Sequence, residues 1–270
     1  MKNIKMIFFD IDGTLIPLED SGIRDKTIRA LKALKERGIK ICIATGRSPI
    51  QIPKIDQVEF DCHLTFNGSL CYNDNEDIFS NPLNRDDIMT FIKNASAMNK
   101  PLGLASKGQY VANFLNDDLA QYFSFGSTSP TIIDDIEKFA LNKDVYQMVM
   151  PLRKEEYTGA LKDTKSLKIT AWWDRAVDVI PQNGGKGQAV EKIIEYYGFD
   201  KNEALAFGDG DNDIEMFEQV RGIAMGNASE NLKNIAHDTC KSVNEDGVYY
   251  YLKEKQIIWF ALDLADKIEY

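Results

Sequence analysis

Two aspartates stand one residue apart, directly after an apolar run, in the segment FFDIDGTL. Asp10 and Asp12 lead from this run into Gly13 and Thr14, which are typical of the start of a loop. Residues i and i+2 of an extended chain project to the same side, so the two carboxylates either face a cleft together or repel each other. A lone D-x-D-G motif is more often a solvated turn, and the pair becomes informative only through other polar clusters along the chain.

These other clusters follow short apolar segments, each of which is typical of a buried strand. They are Thr45-Gly46-Arg47, Asn67-Gly68 and the acidic run GDGDND with Asp209, Asn212 and Asp213. Lys186 opens a predicted helix after the loop PQNGG. Ligands of doubly wound sheets bind outside the carboxyl ends of the strands, so we expect these clusters to line one site.

The elements that must position the clusters alternate between strand and helix. Apolar segments at residues 4–9, 39–44 and 204–207 predict buried strands, and helical spacing predicts helices within residues 24–38 and 186–198. Asp25 is the expected N-cap of the first helix, and Gly38 the residue that ends it. Strand–helix–strand order predicts an α/β fold with a doubly wound parallel-sheet (Rossmann-like) core.

The pattern changes between these segments. Short strands separated by turn residues predict an antiparallel sheet with helices on one face. We therefore predict an α+β cap domain at residues 81–181, inserted into a core formed by residues 1–80 and 182–270. The segment 256–270 is amphipathic and is predicted to be a helix, without an assigned role.

Composition excludes several classes of function. The net charge of −10 and pI near 4.9 disfavour a nucleic-acid or anionic-membrane surface, which needs clustered Lys and Arg. No apolar run approaches the roughly 20 residues that span a bilayer. The four cysteines form no C-x-x-C pair, so neither a zinc site nor a disulfide framework is indicated. We expect a cytoplasmic protein that is a monomer or a small homo-oligomer.

Three familiar motifs fail at specific positions. An EF-hand loop beginning at Asp209 requires Gly where Ile214 stands, and a dinucleotide fingerprint requires Gly where Asp213 stands. A Walker motif ending at Lys186 requires Gly at Ile180, and Ser or Thr at Gly187.

The polar residues at the predicted strand and helix ends comprise several carboxylates, one ammonium group and one hydroxyl. Clustered carboxylates are tolerable around a cation, and ligation by oxygen alone suits Mg²⁺. Lys186, the Thr45 hydroxyl and nearby backbone amides would form the positive side of a phosphate cradle. These residues indicate Mg²⁺-assisted phosphoryl transfer, which depends mainly on positioning and charge neutralisation.

The motifs DIDGTL, ATGR, GGKG and GDGDND, in that order, resemble those of the haloacid dehalogenase-like hydrolases. The resemblance is greatest to the Cof-type sugar-phosphatase branch, in which a type 2 cap lies between the second and third motifs. It covers the core by motif, and the cap by position and size. It implies a Mg²⁺-dependent phosphatase that hydrolyses a small phosphorylated metabolite, a sugar phosphate or a phosphorylated cofactor, through an aspartyl-phosphate.

The resemblance also implies roles for individual residues. Asp10 would be the nucleophile and Asp12 the general acid and base. Asp10, the backbone carbonyl of Asp12, Asp209 and Asp213 would hold the metal ion. The residues implied to bind the phosphoryl group are Thr45, Gly46, Lys186 and Asn212.

For some side chains, the sequence permits two interpretations. Arg47 and Asn67 are candidate substrate contacts, and each could equally cap or support the loops around it. Trp172 and Trp173 of the predicted cap are also candidate substrate contacts, but tryptophans are more often packed within the core of such a module. The substrate itself is not identified by the sequence.

Two alternative functions fit part of this pattern. A phosphomutase of the same superfamily would retain the phosphoryl group and donate it again. A receiver-like signalling module would keep a durable phosphoaspartate, which Asp12 and the large insertion disfavour.

Overall fold

The computed structural model describes residues 3–18, 22–53, 55, 57–126 and 128–259. The chain divides into two compact units. The first unit comprises Met1–Ala44, Pro53–His63 and Val190–Tyr270, and the second comprises Thr45–Ile52 and Leu64–Ala189. The segments 1–80, 81–181 and 182–270 remain a prediction for the domain boundaries.

The first unit is built on a sheet whose neighbouring strands are parallel wherever their register is defined. In spatial order the strands are β14 (Asp238–Thr239), β13 (Arg221–Ala224), β12 (Ala204–Gly208), β1 (Met6–Phe9), β2 (Lys40–Ala44) and β3 (Cys62–Thr65). Every residue of β1 is buried, as a strand covered on both faces requires. The Phe9 and Phe207 rings stack 5.3 Å apart and connect the two central strands.

Helices accompany these strands. They are α1 (Asp25–Glu36), α6 (Lys186–Tyr197), α7 (Ile214–Gln219), α8 (Glu230–Ile235) and α9 (Gly247–Glu254). The apolar stripe Ile28, Leu31 and Leu34 of α1 is buried, as its spacing predicts. None of the described helices is long and apolar enough to cross a membrane.

The second unit contains a six-stranded sheet and a hairpin. The sheet order is β10 (Leu167–Thr170), β11 (Val177–Pro181), β9 (Gln147–Met150), β6 (Gly103–Ser106), β7 (Gln109–Ala112) and β8 (Thr131–Ile132). All its pairs are antiparallel except β7 with β8. The hairpin consists of β4 (Leu70–Tyr72) and β5 (Asp77–Ser80). Four helices accompany them: α2 (Arg85–Ala97), α3 (Asp117–Phe125), α4 (Ile136–Asn142) and α5 (Tyr157–Ala160).

The two faces of the six-stranded sheet carry different cores. Leu104 and Met148 point to a core shared with α2, α4 and α5, whereas Ala105 and Val149 point to a core shared with α3. The prediction of helices on one face is therefore wrong for α3. Alternating residues of a strand face opposite sides, and both sides of these strands are apolar enough to be covered.

Some of the other predictions are confirmed by the structure, and others are wrong. The α/β core with its α+β module is confirmed. Gly38 does end α1, with φ of +71°, but Arg24 is the N-cap and Asp25 the first helical residue. The hairpin and α9 were not predicted. Of the predicted C-terminal helix, residues 256–259 are not helical, and the rest lies outside the described residues.

Candidate active site

Three carboxylates of the first unit lie together at the end of the central strands. A ligand oxygen from each of Asp10, Asp209 and Asp213 lies within 4.8 Å of the others. Parallel register pairs Phe9 with Phe207, so the chain leaves β1 and β12 at the same edge. The Asp10 N–H donates to the Phe207 carbonyl at 3.0 Å, which fixes the first acid beside the second strand. Within the described parts of the chain, this is the one group of acidic, cysteine or histidine side chains arranged to hold a metal ion.

Backbone amides hold Asp213 in place. Its Oδ2 accepts from the N–H groups of Asp209 and Gly210 at 3.0 and 3.1 Å. The carboxylate is fully buried and closes the turn that follows β12. Asn212 is half-buried on the same turn. The run GDGDND thus folds back on itself, which places the carboxylates of Asp209 and Asp213 close together at the strand end.

Asp209 is bound by two neutral donors from neighbouring loops. The Thr14 hydroxyl donates to its Oδ1 at 3.4 Å, and the Asn227 amide donates to its Oδ2 at 3.3 Å. Asn227 also donates to the carbonyl of Gly13 at 2.8 Å and so ties three loops together. Asn227 is not among the predicted site residues, although its position after the apolar segment GIAM repeats the pattern of the other clusters.

Gly13 is required by the approach of Asp209. A Cβ at Gly13 would lie 2.1 Å from Asp209 Oδ2, and the φ of +83° belongs to the left-handed region. The loop around it is tight, since the N–H groups of Thr14, Leu15 and Ile16 all donate to the Ile11 carbonyl.

Asp12 lies in this same tight loop and is half-buried. Its backbone forms a bridge with Ile16, and its side chain is not part of the three-carboxylate group. The predicted metal contact through its backbone carbonyl and the predicted acid–base role remain proposals.

The second unit brings together Thr45, Gly46 and Asn67. Thr45 is buried, its N–H donates to Leu64 and its carbonyl accepts from Asn67 at 3.1 Å. The Asn67 side chain lies against Gly46, where a Cβ would be 3.0 Å from the amide nitrogen. Asn67 itself has a φ of 51°, which asparagine tolerates better than most residues.

A buried carboxylate outside the predicted site residues holds Asn67. Asp178 accepts from the Asn67 amide at 2.9 Å, from the Gln147 amide at 3.0 Å and from the Tyr122 hydroxyl. Burial raises the pKa of Asp178 to about 7, against the opposing effects of these hydrogen bonds and the charge of Lys186. No short motif marks Asp178 in the sequence, where it stands as one polar residue within an apolar strand.

Lys186 is 1% exposed and is the first residue of α6, as predicted. Its loop contacts the loop of Asn67, because a Cβ on Gly68 would lie 2.4 Å from the Gly185 carbonyl oxygen. An ammonium group this deeply buried needs an anionic partner or ligand to offset its lost hydration. Lys186 and Asn67 therefore belong to one polar region of the second unit.

Arg47 supports a loop. Its guanidinium donates to the carbonyl of Gln51 at 2.9 Å and to that of Phe125 at 3.5 Å. These hydrogen bonds lie within the protein, so the substrate contact through Arg47 remains a prediction.

A model of the haloacid dehalogenase-like hydrolases matches residues 7–252. The chain belongs to this family. The match spans the predicted motifs and the module between them, so the resemblance that the motifs carried is confirmed.

Relatives of this haloacid dehalogenase-like hydrolase include phosphatases. The 5-amino-6-(5-phospho-D-ribitylamino)uracil phosphatase YitU of Bacillus subtilis (strain 168) is 30% identical over 265 residues, which are 92% of this chain and 96% of YitU. The structure of the subclass IIB sugar phosphatase BT4131 has a TM-score of 0.86 and 29% identity, and covers 94% of this chain and 100% of that one. The structure of BT1666 from Bacteroides thetaiotaomicron has a TM-score of 0.88 and 29% identity, and covers 95% of this chain and 96% of that one. The chain is accordingly a phosphatase of the haloacid dehalogenase-like type.

Proposed function

We propose that this phosphatase hydrolyses a small phosphorylated metabolite with Mg²⁺ as cofactor and Asp10 as nucleophile. The observation that carries the proposal is the convergence of Asp10, Asp209 and Asp213 within 4.8 Å. Three carboxylates at this separation repel one another unless a cation lies between them. The Thr14 hydroxyl and the Asn227 amide, which donate to Asp209, are neutral groups.

The donor set fits magnesium better than a softer metal. The group consists of carboxylates, without histidine or cysteine, and Mg²⁺ prefers oxygen ligands whereas zinc prefers nitrogen and sulfur. Asp10, Asp209 and Asp213 would hold the ion, together with the backbone carbonyl of Asp12. When bound, the ion neutralises carboxylate and phosphoryl charge.

The residues of the chain would divide the reaction into two steps. An Asp10 carboxylate oxygen attacks phosphorus, the bond from phosphorus to the ester oxygen breaks, and Asp12 donates its proton to the departing alcohol. Asp12 then takes a proton from water, whose oxygen attacks phosphorus, releasing phosphate and restoring the Asp10 carboxylate. These roles rest on the family motif, in which Asp10 and Asp12 occupy the corresponding positions.

The family motifs imply that the phosphoryl group is held by Thr45, Gly46, Lys186 and Asn212. Lys186 would supply a positive charge, Thr45 its hydroxyl, and Gly46 its backbone amide. The burial of Lys186 supports this role, because an ammonium group attracts an anion more strongly away from water than it does at an exposed surface.

The substrate class is supported by the named relatives. YitU carries the name of a phosphatase for a ribitylaminouracil phosphate, and BT4131 that of a sugar phosphatase. Both names describe monophosphate esters of small polyhydroxylated molecules. We therefore assign this chain a substrate of that size, a sugar phosphate or a phosphorylated cofactor.

Hydrolysis of p-nitrophenyl phosphate by the purified protein with Mg²⁺ tests the proposal. Asp10→Asn should abolish turnover because the amide is a poor nucleophile. Asp211→Asn is the matched control: Asp211 belongs to the same acidic run, but its carboxylate accepts from Ser229 and Asn231 and is not part of the three-carboxylate group. Near wild-type turnover by Asp10→Asn would remove this residue as the nucleophile. Release of inorganic phosphate without a bisphosphate activator distinguishes a phosphatase from the alternative, a phosphomutase.

A further inference from the structure

The side chain of Asn227 connects three loops of the first unit. Its amide nitrogen donates to the Gly13 carbonyl at 2.8 Å and to Asp209 Oδ2 at 3.3 Å. Its Oδ1 accepts from the Val243 N–H at 2.9 Å. The orientation of this amide is fixed, because only its oxygen can accept from Val243 and only its nitrogen can donate to the other two groups. Asn227 therefore presents a donor to Asp209 in one orientation.

The backbone that carries Asn227 is bonded on both of its sides. After Asn227, the Ser229 N–H donates to the Asp209 carbonyl at 2.9 Å. Before Asn227, the Gly226 N–H donates to the Lys241 carbonyl at 3.2 Å, and a Cβ on Gly226 would lie 3.0 Å from the Lys241 carbonyl carbon. The position of Asn227 relative to Asp209 therefore follows from the fold of these loops.

The carboxylate of Asp209 needs such contacts to keep one orientation. The torsion that turns the carboxylate of an aspartate has a broad energy well, so the chain itself does not fix the two oxygens. In Asp209, the Asn227 amide binds Oδ2 and the Thr14 hydroxyl binds Oδ1 at 3.4 Å. Oδ2 also lies 2.1 Å from the place that a Cβ would take on Gly13. Contacts from two loops thus restrict the rotation of this carboxylate.

The exposure and the charge of Asn227 both suit a role in orienting Asp209. Asn227 is exposed, and an exposed hydrogen bond adds little to the stability of a fold because water can replace either partner. A lysine or an arginine at this position would neutralise the carboxylate and compete with a cation for it. A neutral amide orients the carboxylate and leaves its negative charge available.

We propose that Asn227 is a positioning residue for the metal ion, which orients the Asp209 carboxylate as a ligand and thereby favours Mg²⁺ over larger cations. The inference rests on the proposed function, in which Asp10, Asp209 and Asp213 hold Mg²⁺. This ion requires near-ideal octahedral geometry with ligands at about 2.1 Å, whereas Ca²⁺ accepts varied carboxylate geometries at about 2.3–2.6 Å. A carboxylate held in one orientation favours the ion that tolerates the least misalignment.

Asn227→Ala tests this role, with Asn231→Ala as the matched control. Asn231 is also an exposed asparagine that donates to an aspartate of the same acidic run, Asp211, at 3.0 Å, but Asp211 is not part of the three-carboxylate group. Titration calorimetry of the purified protein should show a dissociation constant for Mg²⁺ about 10 to 100-fold higher in Asn227→Ala. The constant should be unchanged in Asn231→Ala. The affinity of Asn227→Ala for Ca²⁺ should fall by a smaller factor.

Kinetics separate positioning of the ion from a general loss of structure. In Asn227→Ala, the Mg²⁺ concentration that gives half-maximal hydrolysis of p-nitrophenyl phosphate should rise by the same factor as the dissociation constant. The kcat at saturating Mg²⁺ should stay near that of the wild type, and the melting temperature without metal should fall by only about 2–4 °C. A general loss of structure would instead lower kcat at every Mg²⁺ concentration and weaken the binding of both cations.

An unchanged affinity of Asn227→Ala for Mg²⁺, or equal losses of affinity for Mg²⁺ and Ca²⁺, would overturn the proposal. Failure of the proposed function has a separate signature. If the wild type binds Mg²⁺ but releases no phosphate from p-nitrophenyl phosphate, the phosphatase reaction as proposed is wrong, and calorimetry still decides the role of Asn227. A wild type that binds no Mg²⁺ would overturn both the proposed cofactor and this inference.

Discussion

Asn67 donates a hydrogen bond of 2.9 Å to Asp178, a residue 111 positions away in the chain. Asp178 is fully buried and receives two further hydrogen bonds, from Gln147 and Tyr122, all from neutral groups. One buried carboxylate thus holds a loop next to the predicted phosphate-binding residues and, through Tyr122, helix α3. Because burial disfavours the charge of Asp178 more than the hydrogen bonds and the charge of Lys186 favour it, protonation of Asp178 should be linked to the stability of the protein.

Asp178→Asn should change the pH dependence of unfolding. The pKa of Asp178 is raised to about 7, above the value of about 3.9 expected in an unfolded chain. Between these pH values the folded protein retains a proton that the unfolded chain releases. The resulting stabilisation is complete below about pH 4 and is lost as the pH rises through about 7.

The measurement is urea unfolding of wild type and Asp178→Asn from pH 4 to pH 8. The free energy of unfolding of the wild type, relative to the variant, should fall by up to about 1.4 kcal/mol per pH unit within this window. A difference that is constant with pH would show that Asp178 does not titrate there.

Asp12→Asn should separate the two chemical steps. Without its carboxyl group, water is no longer activated, so we expect steady-state turnover to fall by about 10² to 10⁴-fold. With p-nitrophenyl phosphate, whose leaving group needs little protonation, phosphorylated Asp10 should accumulate. Intact-mass measurement after rapid quenching would detect the added phosphoryl group, and Asp10→Asn/Asp12→Asn should lack it. Brisk steady-state hydrolysis by the single variant would contradict the role of Asp12.

Chelation should remove activity and lower stability together. EDTA should stop hydrolysis, Mg²⁺ should restore it, and Zn²⁺ should not substitute. Binding of Mg²⁺ at 100 times its dissociation constant should raise the free energy of unfolding by about 2.7 kcal/mol. Thermal denaturation with and without Mg²⁺ measures this gain, which Asp209→Asn should reduce and Asp211→Asn should retain. A metal-induced gain that survives Asp209→Asn would place the ion elsewhere.

Gly13→Ala tests the approach of Asp209 to the loop after β1. The added Cβ would meet Asp209 Oδ2 at 2.1 Å, so the carboxylate must move, and we expect lower stability and a Mg²⁺-dependent rate reduced at least about tenfold. Gly38→Ala is the control for backbone strain, because Gly38 also has positive φ, at +71°, but nothing lies within 4 Å of its Cβ. It should cost about 1 kcal/mol of stability and leave the rate unchanged. Equal rates for the two variants would show that the contact with Asp209 is unimportant.

The sequence by itself determined the α/β core and the three carboxylates that the structure brings together. Asp10, Asp209 and Asp213 each follow a strand whose apolar character is encoded within a few contiguous residues, and parallel strands bring their carboxyl ends to one edge. Lys186 opens α6 because the glycines before it end the preceding segment and the helical pattern starts there. Such features depend on local periodicity and on turn residues, which a single sequence displays directly.

Tertiary structure alone decided which distant side chains meet. Asp178, Asn67 and Tyr122 come from three separate segments, and their contact depends on strand register and on the placement of α3 on the second face of the sheet. Asn227 likewise reaches Asp209 only because its loop folds over Gly13. Nothing in the neighbouring residues of each chain segment encodes these partners, because a buried polar side chain is specified by the groups packed around it in space.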